Sequence, residues 1–157
     1  MLRPARKEEL PEILQLYRSV IGKSGCTWDV FYPNEATLQE DFETENLYVL
    51  CNGTHMIGAG SVVPENELED LVFWEISEKA REIARIVIAP AHQGKGYGKQ
   101  LVSKLCKKLG HDGYSAVHLL AATQNPAACS LYARVGFRRK GACHRYDHDY
   151  YAYEKKL

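Results

Sequence analysis

Residues Gln93-Gly94-Lys95-Gly96-Tyr97-Gly98 set three glycines within five positions, between an apolar run and an amphipathic one. Residues 82–88 read as a buried strand that Pro90 stops. Beyond the glycines, Leu101, Val102, Leu105, Cys106 and Leu109 recur at helical spacing, and Gly110 supplies an exit. A glycine-rich strand-to-helix junction lets the backbone approach a ligand closely. It leaves the first-turn amides without intrahelical partners and carries the positive end of the helix dipole. That makes a phosphate cradle, and Lys95 and Lys99 add charge beside it. The dinucleotide fingerprint needs G-x-G-x-x-G, and the ATP-binding loop needs G-K-[ST]. Here the spacing is G-x-G-x-G and Lys95 precedes Gly96, so neither fits. Taken alone, the motif is also compatible with a glycine-rich turn that holds nothing.

At 157 residues the chain has the size of one domain spanning 1–157, with enough length for an ordinary core. Its formal net charge is zero, and its one short basic run, Arg138-Arg139-Lys140, reads as a solvated strand end, so no nucleic-acid partner is expected. The five cysteines are scattered, with no CxxC pair and no metal-ligand spacing. They read as reduced thiols of a cytoplasmic protein, and no metal is expected. No apolar run is long enough to span a membrane and the charged N-terminus does not resemble a signal peptide, so no membrane partner is expected.

In order along the chain, residues 1–5 suit a short edge strand, and a helix runs from about Lys7 to near Gly22. Residues 24–34 form a loop holding Trp28, Phe31 and Tyr32, rings that either plug the core or wall a substrate pocket. A second helix covers Glu35–Glu43 with Asn34 as its cap. Residues 47–51 and 55–63 are strands joined by the Asn52-Gly53 turn, and Gly58 and Gly60 signal close backbone approach or a bulge. Residues 64–79 are acidic around an apolar centre and give no clear element. After the central strand and helix, residues 115–122 form a further buried strand. Asn125-Pro126 opens a helix that Gly136 closes. Residues 137–142 and about 145–154 are final antiparallel strands. The order βααβββαβαββ describes an α/β (α+β) mixed sheet with helices on its faces. The tyrosine-rich last strand is suited to a homodimer contact.

Residues 82–141 resemble the core of the GNAT superfamily of acyl-CoA-dependent N-acetyltransferases. The strand ends in Ile86-Val87-Ile88-Ala89-Pro90, and Gln93-x-x-Gly96-x-Gly98 matches the pyrophosphate loop. Asn125-x-x-Ala128-x-x-Leu131-Tyr132-x-x-x-Gly136-Phe137 matches the segment after the fifth strand. Cys26-Thr27-Trp28, Tyr32-Pro33 and Tyr153-Glu154-Lys155 further resemble small bacterial members.

The resemblance implies a GNAT-like fold, acetyl-CoA as donor and a primary amine as acceptor. It implies that Gln93, Gly94, Lys95, Gly96, Tyr97, Gly98 and Lys99 hold the pyrophosphate. The pantetheine arm would pair with main-chain groups of Ile86, Val87 and Ile88, and the amide of Ile86 or a neighbour would polarise the thioester carbonyl. The side chains of that strand fit a plain buried strand equally well. Asn125 would contact the pantetheine chain, and Tyr132 would donate to the sulfur. A phenol of pKa about 10 can protonate a thiolate whose thiol lies near 8.5. Tyr132 also lies on the apolar face, where it could be ordinary core.

The attacking amine must first lose a proton. Strand alternation places Glu82 with Ala84, Ile86 and Ile88, as a general base or as a surface carboxylate. Glu75, Asp70, His118, His144 and His148 are weaker candidates, with His118 reading rather as a satisfied strand histidine, and nothing supports a covalent role for Cys129. The expected acceptor is a small-molecule amine, bound at Trp28 and Tyr32 and favoured by the acidic residues between 65 and 70. Acetylation of a protein N-terminus or lysine, or acyl-CoA sensing without turnover, are the competing functions.

Overall fold

The structure is a computed structural model and describes residues 1–64, 68 and 70–157. The strands are β1 (Leu2–Pro4), β2 (Leu47–Asn52), β3 (His55–Val63), β4 (Ala80–Ile88), β5 (Ala116–Ala122), β6 (Arg138–Arg145) and β7 (His148–Lys156). They form one sheet in the order β1-β2-β3-β4-β5-β7-β6. Only the β4–β5 pair is parallel among the described neighbours. The helices are α1 (Leu10–Ser19), α2 (Glu35–Glu43), α3 (Tyr97–His111) and α4 (Pro126–Val135). The order of elements and the fold class follow the sequence reading.

The boundaries differ for local reasons. The first helix divides into a 3-10 turn at Lys7–Glu9 and then α1, whose first turn contains Pro11. Gly110 does not end α3. The helix continues to His111, the Asp112 amide bonds to the Lys108 carbonyl at 2.9 Å, and the chain turns at Gly113, where φ is +91°. The Tyr114 amide then reaches back to the Leu109 carbonyl at 3.0 Å, which closes the helix end on the glycine with positive φ.

Two apolar layers sandwich the sheet. On one face Leu101, Val102, Leu105 and Leu109 of α3 and Tyr132 of α4 pack on Leu50, Ile57, Ile83, Val117 and Leu119. On the other, Ile13, Leu14 and Tyr17 of α1 and Leu38 of α2 pack on Val49, Ala59 and Val87. Each fully buried aliphatic side chain of this kind contributes about 1.5–3 kcal/mol of transfer free energy. The glycines of β3 permit the close packing. A Cβ at Gly58 would lie 2.8 Å from the Val87 carbonyl oxygen, and one at Gly60 would lie 2.6 Å from Ile86 Cδ1.

The β3–β4 ladder carries a bulge. Ala59 faces Val87 and Ser61 faces Ala84, so β4 has one residue more than β3 across that interval. Arg85 there has a φ of +53°. The extra residue reverses the side-chain alternation. Ile83 therefore shares the α3 face with Ile86 and Ile88, while Val87 faces α1. Among the described residues no helix is long and apolar enough to cross a membrane.

Candidate functional site

The glycine-rich loop expected to hold a phosphate forms a helix start with its donors left open. Gly94 and Gly96 have φ of +74° and +86°, and Gly96 caps α3 without any side-chain acceptor. The Gln100 amide makes the first intrahelical bond, to the Gly96 carbonyl at 3.0 Å. The amides of Tyr97, Gly98 and Lys99 precede it and point out of the helix end. No atom lies within 4 Å of a Cβ added at Gly94 or Gly96, so the loop is open beside these glycines. Gln93 serves the loop differently: its Nε2 donates to the Ile88 carbonyl at 3.0 Å and ties the loop to the end of β4. Gly98 has its own purpose, since a Cβ there would press on Leu131 Cδ2 at 3.3 Å, where α3 meets α4.

Beyond the cradle, the sheet forks. β4 and β5 pair only over Ala80↔Ala116, Arg81↔Val117 and Glu82↔His118, although both strands run further. From Ala84 to Ile88 the β5-side edge of β4 has no strand partner among the described residues, which leaves a gap between the two strands on the way to the glycine loop. α4 follows β5. Asn125 caps it, its Oδ1 accepting from the Ala128 amide at 3.1 Å. Tyr132 lies two turns along, in edge contact with Phe137 and beside Tyr153. Burial, with the Cys129 and Cys106 thiols adding to it, pushes the Tyr132 phenol above its ordinary value, so it stays protonated. Cys129 Sγ rests 3.7 Å from the Ala122 carbonyl.

The bulge moves Glu82. Alternation alone put it with Ile86 and Ile88, but the extra residue at Arg85 places Glu82 on the opposite face, with Val87. There it stands in register with His118, and His118 with Glu154, in a row across β4, β5 and β7. His118 is fully buried, and its Nε2 lies 2.7 Å from Glu154 Oε2. Glu154 also accepts the amides of Glu75 and Ile76, at 3.3 and 3.0 Å. Glu154 thus ties the strap to the buried imidazole. Trp74 stacks on the imidazole at 3.9 Å with 7° between the planes.

Residues 70–79 thus strap this part of the sheet. Glu75 is bonded to Lys140 and Asp70 to Arg145, and these cations lower both carboxyls below their ordinary values. Phe73 fills the space that a side chain at Gly141 would need, 2.6 Å from an added Cβ. His144 pairs with Asp149 near the exposed turn of the last hairpin, and His148 meets the Tyr150 ring. Glu65, Glu67 and Glu69, expected to favour a cationic acceptor, lie outside the described residues.

The aromatic loop at 24–34 closes the other side. Gly25 lies against Asn125, 3.0 Å from its Cγ as measured to an added Cβ. Trp28 packs edge-on to Tyr17 at 5.5 Å, in the α1–α2 layer. Tyr32 is 47% exposed, and its hydroxyl accepts from Arg85 at 3.1 Å. Trp28 therefore props the loop from beneath while Tyr32 faces outward. Sequence patterns gave no signal for Trp74 or Arg85, because their positions depend on the strap and the bulge. Among the described residues no cluster of His, Cys, Asp and Glu is arranged to hold a metal ion.

The model of the "Acetyltransferase (GNAT) family" matches residues 10–137. The N-alpha-acetyltransferase RimI of Mycobacterium tuberculosis is 40% identical over 65 residues, 41% of this chain and 39% of that protein. The chain thus matches about two fifths of that relative's length. A GNAT-family acetyltransferase structure from Streptococcus agalactiae superposes with a TM-score of 0.87 at 20% identity, covering 100% of this chain and 95% of that one. Spermidine N-acetyltransferase from Vibrio cholerae, solved with CoA and spermine, gives 0.75 at 20% identity, covering 99% and 94%. At those identities the likeness is one of fold.

Proposed function

Because this chain belongs to the acetyltransferase (GNAT) family, we propose that it transfers the acetyl group of acetyl-CoA to a primary amine of a small molecule by direct attack. The observation that carries this is the uncapped start of α3, opening into the β4–β5 fork. The outward amides of residues 97–99 and the dipole of a 15-residue helix suit a pyrophosphate. Lys95 and Lys99 lie beside them. The unpaired edge at Ile86, Val87 and Ile88 supplies main-chain partners for the pantetheine arm.

The fork divides the two substrates between two faces. The thioester lies along the β4 edge, with Tyr132 on the α4 side and Glu82 on the other. Glu82 takes one proton from the ammonium, and the freed amine attacks the thioester carbon. The C–N bond forms, the C–S bond breaks, and Tyr132 gives its proton to the departing sulfur. The second proton of the former amine returns to Tyr132. The products are the acetamide, CoA as thiol, and a proton on Glu82. Free thiols at all five cysteines fit a reducing, cytoplasmic setting.

A second reading, acetylation of a protein N-terminus, is favoured by the 40% identity to RimI. Thiol release from acetyl-CoA, followed against polyamines, diamines and amino-acid amines and against peptides with free N-termini, separates the two. Turnover on peptides alone overturns the small-molecule reading, and no turnover on any amine leaves acyl-CoA sensing.

Glu82→Gln is expected to lower kcat/KM by roughly 10²-fold, as loss of a general base does. The loss should be largest well below the pKa of the amine, where nearly all acceptor is protonated, and should shrink as pH rises toward it. A pH–rate profile unchanged in height and shape would remove Glu82 from the mechanism. Tyr32→Ala is expected to raise the acceptor KM several-fold, with the KM for acetyl-CoA and the melting temperature nearly unchanged. Trp28→Ala should lower the melting temperature as well, because that ring packs on Tyr17. A Tyr32→Ala variant that weakened both substrates equally would place Tyr32 outside the acceptor pocket.

A further inference from the structure

The β4 bulge is held by a buried ion pair from another element. Arg85 Nε and one terminal nitrogen each donate to Asp41 of α2 at 2.7 Å, in a bidentate pair. Asp41 also accepts the Ser61 hydroxyl at 2.7 Å. The two charged side chains are 12% and 5% exposed. The remaining terminal nitrogen of Arg85 bonds Tyr32.

An ion pair this deeply buried is a poor device for stability, because desolvation cancels much of the attraction. It does fix geometry. Arg85 sits at a φ of +53°, where a side chain is strained and its surroundings must offset the strain. In register terms, Arg85 and Ile86 have no partner on β3, and β5 has already diverged. At that point β4 is thus out of register with both neighbouring strands, next to the fork.

We propose that Asp41 is a positioning residue for acyl transfer: through Arg85 it holds the bulge in the form that presents a main-chain amide of residues 85–87 to the thioester carbonyl. This rests on the reading of the fork as the acetyl-CoA site. Asp41 touches neither substrate. It acts by keeping Arg85 in the left-handed region, which keeps the amide turned away from β3 and into the gap. The Ser61 hydroxyl and the bidentate geometry fix the carboxylate that does this.

The test uses Asp41→Asn and the double variant Asp41→Asn/Arg85→Gly in the full chain. Three quantities are read: kcat, the Kd for CoA, and the carbonyl stretch of bound 13C-acetyl-CoA by difference infrared spectroscopy. Wild type should shift the carbonyl band to lower frequency. Asp41→Asn should lose most of that shift and lower kcat by roughly 10²-fold, the scale of losing one oxyanion donor. The Kd for CoA, which has no acyl carbonyl, should change less than about threefold, as the pyrophosphate cradle is untouched. The double variant should recover band shift and rate relative to Asp41→Asn, because glycine holds a positive φ without an anchor.

If Asp41→Asn keeps the band shift and kcat, or if the double variant is no better than the single, the proposal is overturned. If Asp41→Asn does not fold, Ser61→Ala, which leaves the pair charged, should give a smaller loss of the same shift, and no loss overturns the proposal. A wild-type protein that binds acetyl-CoA without any carbonyl shift overturns the proposal and leaves the functional reading standing. A wild-type protein that binds no CoA overturns the functional reading and the proposal together.

Discussion

Tyr132→Phe is expected to lower kcat by roughly 10²-fold while the Kd for CoA stays within about threefold, the pattern of an interaction made chiefly as the leaving group departs. The substitution keeps the ring in contact with Phe137 and Tyr153, so the α3–α4 layer stays packed and the melting temperature should change little. What is lost is one hydroxyl. Burial raises the phenol above the ordinary tyrosine range, so it is protonated at every pH below about 10 and remains available as a donor. It therefore cannot set a basic limb in the pH–rate profile near neutrality. A thiolate whose conjugate acid lies near 8.5 is a weaker base than the phenolate, so the transfer is uphill in water and depends on coupling to C–S cleavage. Stopped-flow release of thiol measures that step directly. Release unchanged in Tyr132→Phe would make Tyr132 an ordinary core residue.

The glycine-rich start of α3 was legible because its signal is local. Gly94, Gly96 and Gly98 follow a strand and precede a helical repeat, and each supplies backbone freedom or clearance within a few residues of its neighbours. Asn125 at the start of α4 and Asn34 at the start of α2 were readable for the same reason, and both side chains accept from the first turn. Glu82 was not readable in the same way. Its side of the sheet is decided by one inserted residue, and that insertion is visible only when β3 is laid against β4. Gly110 misled in the opposite direction: a glycine in a helix costs roughly 1 kcal/mol, but buried Leu105 and Leu109 offset it and carry α3 onward to His111. Asp41, Ser61 and Trp74 lie far in sequence from the partners that give them meaning. Arg85 meets Asp41 across 44 positions, and no periodicity spans that distance.

Gly96→Val should weaken CoA binding by roughly 10²-fold or more, through two effects that a second glycine separates. A β-branched residue at a φ of +86° meets backbone strain of about 1–3 kcal/mol. Its methyl groups would also enter the open space beside the loop, where the pyrophosphate belongs in the proposed complex. Gly113, just past the other end of the same helix, has a φ of +91° and equally open surroundings. Gly113→Val therefore carries the strain without the obstruction. Both variants should lose similar stability in thermal unfolding, and only Gly96→Val should lose affinity in calorimetric titration with CoA. Equal losses of affinity would assign the effect to a disturbed α3 and would take the pyrophosphate out of the loop. Loss confined to Gly96→Val ties the ligand to the helix start, since the two positions share a positive φ and open surroundings.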